Sequence, residues 1–156
     1  MVGDGEMMLR VFVAFILSGL IGLERELCRH EAGLRTHILV CVGSTLIMLT
    51  SMHVFDIYKT QANVDPTRIA AGVVTGIGFL GAGAIIRSTE GVRGLTTASS
   101  LWVVSALGLS VGCGFIKLSI FVAGLVLGVL LFLRKFEHVL LKKGGGHGSQ
   151  RQEERY

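Results

Sequence analysis

The stretch "GIGFLGAGAI", residues 76–85, contains Gly76-x-Gly78-x-x-Gly81, the literal spacing of a dinucleotide-binding fingerprint. That fingerprint needs a β-strand before it, a helix opening at the third glycine and a carboxylate about 20 residues further on. The context supplies none of these. The glycines lie inside Ile69–Ile86, 18 residues without a charge, and the chain past them reads Thr96-Thr97 where the acid should stand. An uncharged run of this length crosses the hydrocarbon of a bilayer as a helix, which takes ~17–25 residues. The glycines therefore belong to a membrane span.

Small residues in such a span have a physical use. Lipid provides no hydrophobic drive between helices, so close backbone approach and van der Waals contact hold a bundle together. Small residues occupy ten of the 18 positions, with Gly72-x-x-x-Gly76 and Gly78-x-x-x-Ala82 as small-xxx-small pairs. Because these pairs lie on different faces, the pattern predicts a helix packed on several sides, at the centre of the bundle, through Gly72, Gly76, Gly78, Gly81 and Gly83. A second stripe of small residues, Gly94, Ala98, Ser105, Gly108 and Gly112, follows in the next run. A permeation path lined by bare backbone is the sharper alternative to packing.

The rest of the chain agrees with lipid as its solvent. Hydrophobic residues make up 51% of the 156 and charged ones 17%, with a mean hydropathy of +0.65. Soluble domains rarely combine these values. Charges crowd into islands around 24–35, 56–68, 87–93 and 134–156. Between them lie five apolar runs: Met7–Leu23, Ile38–Phe55, Ile69–Ile86, Leu95 to about Val111, and about Phe115 to Leu133. The glycines of "VGCG", 111–114, suit a tight hairpin between the last two. Asp4 and Glu6 ahead of the first run are wrong for a removable signal peptide, so that run is expected to be retained. Cys28, Cys41 and Cys113 are too scattered for a disulfide framework or a zinc site.

Five spans and the placement of lysine and arginine fix an expected orientation. Eleven of the 15 basic residues fall in the 24–37 loop, the 87–94 loop and the C-terminus, which then share the cytoplasmic side. The expected fold is an all-α polytopic membrane bundle of five transmembrane helices, N-terminus outside and C-terminus cytoplasmic. Residues 1–133 form the membrane domain and 134–156 a basic amphipathic extension with a flexible tail. "LRKFEHVLLKK", 133–143, suits an anionic inner leaflet.

Ionisable groups near a membrane boundary need a stated reason. Asp65-Pro66 opens the third span as an N-cap followed by a first-turn proline. The competing role is a cation or proton site at the outer mouth, made by Asp65 and Arg68 with Asp56 behind. Magnesium keeps most of its waters and is held by one or two carboxylates, which makes Asp65 the candidate metal ligand. On the inner side Glu24, Arg25, Arg35, His37, Arg87, Arg93 and Thr96 lie near span ends. They suggest a polar network, Glu24 with Arg35 or Arg93, or a docking surface. His37 is placed to titrate near neutral pH. Nucleophile elbow, metal-ligand cluster and phosphate-binding lysine loop are all missing from the sequence, so catalysis is not expected.

Five ordered segments, "GLERE" (22–26), "AGLRTH" (32–37), "DPTRIAAG" (65–72), "GIGFLGAGAIIR" (76–87) and "VRGLTTASSLWV" (92–103), together resemble the MgtC/SapB family of bacterial inner-membrane proteins. The likeness is dense from Gly22 to Gly112 and is carried by hydropathy alone beyond. Some members add a soluble C-terminal domain, which the residues after Leu133 are too few to form, so the chain lacks it or is truncated. Gly72 stands where many members carry glutamine, so no polar role carries over to that position. The resemblance implies a protein tied to growth under magnesium limitation and, in pathogens, to virulence and survival inside host cells. It implies a regulator of other membrane machinery, the F-type ATP synthase included.

Two function classes follow. The first is a non-enzymatic regulator that docks on a membrane partner or self-associates, most simply as a homodimer. The second is a transporter or channel for magnesium or another cation, with Mg2+ as ligand or cargo. No cofactor and no nucleic-acid partner are expected.

Overall fold

The computed structural model describes residues 2–60, 65–89 and 91–144, the last twelve of these by backbone only. Five helices run in order: α1 (Asp4–Leu27), α2 (Leu34–Tyr58), α3 (Thr67–Ala84), α4 (Leu95–Gly112) and α5 (Ile116–Gly144). The protein is an all-α helical bundle, and α1 to α4 are each long and apolar enough to cross a membrane. In α5 the apolar part is the shorter stretch Ile116–Phe132. The boundary expected at 133/134 falls inside α5, whose backbone stays helical through Gly144. The expected flexible tail, with His147, lies outside the described residues.

The centre of the bundle is formed by α1, α2 and α4, with α5 against α1 and α4. Ala14, Leu17 and Ile21 of α1 meet Cys41 of α2, Val104, Leu107 and Val111 of α4, and Ala123 of α5. Glycine lets the helices approach. A Cβ on Gly108 would overlap the Cys41 carbonyl oxygen, and one on Gly112 would stand 2.7 Å from Met48 Cβ. At the other seam a Cβ on Gly22 would lie 2.8 Å from Leu34 Cα. Hydroxyls then join the closely packed backbones. Thr45 Oγ1 donates to Gly108 O at 2.9 Å, and the Ser44 and Ser105 hydroxyls meet at 3.1 Å. Such interhelical bonds average about 0.6 kcal/mol each in a membrane protein, so the seam holds through their number and the contact around them.

The expectation that the glycine-rich third span forms this centre is corrected. Within one chain α3 lies at the edge, touching α4 and α2, with Ile77 its buried residue. Gly81 is in ordinary contact with Ala98, whereas at Gly72, Gly76, Gly78 and Gly83 no heavy atom of the described residues outside the local helix backbone comes within 4 Å of where a Cβ would stand. Small size at every turn reads as packing on all sides, but a sequence does not say whether the neighbours belong to the same chain.

Two turns differ in detail from expectation. α3 ends at Ala84, and the 87–94 loop contains a two-stranded antiparallel hairpin, β1 (Ile86–Ser88) and β2 (Gly91–Arg93). Gly94, at φ 85°, turns the chain from β2 into α4 in the left-handed region. There a Cβ would overlap the Ala84 carbonyl oxygen. At the other end of α3, Pro66 takes the cap position one residue later than expected, and Asp65 acts through its side chain. Asp65 Oδ1 accepts from Thr67 N at 2.8 Å and Thr67 Oγ1 at 2.7 Å.

Candidate functional site

Three of the quoted segments converge at the end of the bundle that carries the α1–α2 loop. "GLERE" closes α1, "AGLRTH" opens α2, and the first turns of α4 lie across both. The junction is built from the backbone outward. Glu26 Oε2 accepts the Leu34 N–H at 3.0 Å, supplying the negative charge that a helix N-terminus favours. Gly33 sits so close to the Glu26 carboxylate that any Cβ would overlap it. The Glu26 carboxylate thus bridges α1 to the start of α2, and the Gly33 carbonyl faces into α2.

Inside this turn lies a buried polar cluster. His37 is fully buried, with Nδ1 2.8 Å from Gly33 O and Nε2 3.0 Å from Ser100 Oγ of α4. Ser100 Oγ in turn donates to Thr97 O at 2.8 Å. Glu24 and Arg25 are also buried, and they pair with each other through Arg25 Nε and Glu24 Oε2. Cys28 Sγ contacts Glu24 Oε1 at 3.2 Å. The expected partners of Glu24 are therefore corrected: its cation is its own neighbour, and Arg35 is exposed. A buried carboxylate needs a buried counter-charge, and Arg25 lies buried beside it.

Thr97, next to the expected Thr96, is the threonine that turns inward. Its hydroxyl donates to Glu31 Oε2 at 2.7 Å, tying the α1–α2 loop to α4. The Thr97 hydroxyl and the residue's own backbone N–H hold the Glu31 carboxyl below its ordinary value, with His30 and Arg93 nearby in the same sense. Thr96, Arg87 and Arg93 are exposed. Glu31 and Ser100 escape a reading by residue type, because a loop glutamate and a mid-helix serine are ordinary on their own. Only the fold places them against Thr97 and His37.

At the opposite end of the bundle Asp65 and Arg68 stay together, the Arg68 N–H donating to Asp65 O at 3.4 Å, while Asp56 pairs with Lys59 at 3.0 Å. The Thr67 hydroxyl and amide hold Asp65 below its ordinary value, with Arg68 close enough to add to it. Among the described residues no group of three or more histidine, cysteine or acidic side chains is arranged to hold a metal ion. Arg10 is the residue of that end whose role the sequence concealed. It is buried and donates from Nη1 to the carbonyl of Gly112 at 2.7 Å, while Nη2 pairs with Glu6.

Between α2 and α3 runs an open groove. Gly43 and Ser44 of α2 and Ser105 of α4 line it, with Gly72, Val73 and Gly76 of α3 on its other side. Phe79 of α3 is 82% exposed beyond it.

The family model for the MgtC family matches residues 11–139, which includes both ends of the bundle and the groove. The chain belongs to the MgtC family. It is 41% identical over 140 residues to a protein of Escherichia coli K12 named "Putative magnesium transporter YhiD", covering 88% of this chain and 65% of the relative. It is 42% identical over 128 residues to Protein MgtC of Brucella abortus, with 81% and 51% covered. To Protein MgtC of Salmonella typhimurium strain LT2 it is 40% identical over 127 residues, with 81% and 52% covered. The chain thus spans about half to two thirds of the length of these curated relatives. No solved structure matches. An MgtC-family membrane protein is accordingly the frame in which the cluster and the groove are read.

Proposed function

We propose that this chain is a non-enzymatic regulator in the bacterial inner membrane, acting by docking a transmembrane helix of a partner in the groove between α2 and α3. The observation that carries the reading is the bare backbone of Gly72 and Gly76 along a groove that no part of the described chain fills. In lipid such a surface has one strong use, the close approach of another helix. The Ser44 and Ser105 hydroxyls at the floor of the groove are buried and bonded to each other, so the approach rests on backbone contact rather than on polar registration. The partner is a membrane complex such as the F-type ATP synthase, and a second copy of the chain is the simplest further occupant, as a twofold dimer. The basic loops and α1–α2 junction face the cytoplasm, and the activity belongs to adaptation to low magnesium and to virulence.

A second reading, transport of magnesium or another cation, is favoured by the printed name of the Escherichia coli relative and by the exposed Asp65. Asp65 already uses one oxygen to cap α3, which leaves a single carboxylate oxygen for a hydrated ion. The test that separates the two is a proteoliposome flux assay beside an association assay in native membranes. Gly76→Leu fills the groove. The regulator reading expects loss of the membrane complex with no ion flux before or after. Flux at transporter rates that Asp65→Asn abolishes would overturn it.

A further inference from the structure

The hydrogen bonds around His37 carry information about its proton that goes beyond the docking groove and does not depend on it. A carbonyl oxygen only accepts, so the bond between Nδ1 and Gly33 O places a proton on Nδ1. At Nε2 the partner is the Ser100 hydroxyl, which has one proton to give. Two acceptors compete for that proton, Thr97 O at 2.8 Å and Nε2 at 3.0 Å. If Ser100 gives it to Thr97 O, its oxygen meets Nε2 as an acceptor, and Nε2 must carry a proton too. The three bonds are all made only by a doubly protonated ring. A neutral ring with Nδ1–H instead accepts from Ser100 at Nε2, and the Thr97 carbonyl loses its serine.

We infer that His37 is a proton-operated latch between α2 and α4, locking the Gly33–His37–Ser100–Thr97 chain when protonated and releasing its last link when neutral. The proton enters and leaves at Nε2, and the Ser100 hydroxyl rotates between the two acceptors. No other atom changes partner. Because Thr97 also holds Glu31 through its side chain, the latch acts on the helix turn that fixes the α1–α2 loop. The charged groups facing His37 are Glu24 and Arg25 of α1, which neutralise each other as a pair. α4 presents hydroxyls to it, and the one charged residue of α3 is Arg68, in the first turn of that helix. Neither neighbour's charge forces one state; full burial favours the neutral ring, so the protonated form rests on the hydrogen bonds it makes.

The test is 15N NMR of the full chain in lipid nanodiscs, with His30, His53, His138 and His147 replaced by glutamine so that one labelled ring remains. Between pH 5 and 8 the latch gives a titrating imidazole whose neutral form carries its proton on Nδ1, the tautomer that imidazole side chains disfavour in water. Ser100→Ala lowers the midpoint by about half to one pH unit, because a hydrogen bond to the charged ring is stronger than one to the neutral ring. A neutral form protonated on Nε2, or no titration across this range, overturns the latch. So does a midpoint that Ser100→Ala leaves unchanged or raises. The tautomer is read from the parent chain, so it decides the matter even if Ser100→Ala fails to fold.

Discussion

Arg10 in the second turn of α1 donates a hydrogen bond to the carbonyl of Gly112, the last residue of α4, at 2.7 Å. The last carbonyls of a helix have no partner within it, and they carry the negative end of its dipole. A buried guanidinium satisfies both demands. Gly114, at φ 93°, completes the fit: a Cβ there would stand 2.9 Å from Arg10 Nη2. The arginine that interrupts the first apolar run thus closes the bundle at the end away from His37. Arg10→Ala is expected to cost about 1.5–3 kcal/mol, the worth of a hydrogen bond to a charged group, in reversible unfolding in mixed micelles. Arg10→Lys should recover part of that.

Glycine positions divide into two classes that one measurement separates. At Gly108 a methyl has no room, so Gly108→Ala should destabilise by about 1–3 kcal/mol through overpacking of the α2–α4 seam. At Gly76 the space is open, and Gly76→Ala should leave the unfolding midpoint of the isolated chain unchanged or slightly raised, since alanine favours helix. Equal losses at both positions would contradict the placement of α3 at the edge.

The Glu24–Arg25 pair predicts a strong asymmetry. Removing one partner strands a buried charge, which costs about 3–5 kcal/mol, so Arg25→Met should abolish accumulation of the folded chain in membranes. The double change Glu24→Met with Arg25→Met should be milder than the single one. Expression followed by trypsin resistance in isolated membranes reads both.

Glu31 gives a pH dependence whose sign is fixed. Its folded carboxyl titrates below the ordinary value of 4.5, chiefly because the Thr97 hydroxyl favours the charged form. The contribution is therefore complete above pH 4.5 and is lost as pH falls through the lowered folded value. Thr97→Val should reduce stability at pH 7, with the difference from the parent shrinking in acid below that point. The effect is small because the carboxylate is exposed. A difference that grows in acid would contradict the bond.

Much of this was legible in the sequence, and for a clear reason. Runs of uncharged residues report the solvent directly, so the helices from Asp4 to Gly112 and the turn at Gly114 follow from hydropathy and glycine placement. The convergence of Gly22–Glu26, Gly33–His37 and the start of α4 follows from connectivity alone. What hydropathy leaves out is the rotation of each helix about its axis. Thr97 rather than Thr96 faces inward, Arg25 rather than Arg35 reaches Glu24, and α3 turns its glycines outward. Small residues mark close approach at Gly108 and openness at Gly76 with the same letter. The β-hairpin was hidden for another reason: Ile86 extends the apolar run past the end of α3.

The docking groove is tested most directly by cysteine cross-linking in native membranes, with single cysteines at Gly72 and Gly76 and a control at Trp102, which is 53% exposed on α4. The account predicts discrete adducts from the two α3 positions, identified by mass spectrometry as a second copy of the chain or a subunit of the F-type ATP synthase, and none from Trp102. Labelling of all three positions by a lipid-phase reagent to the same extent, with no protein adduct, would contradict it.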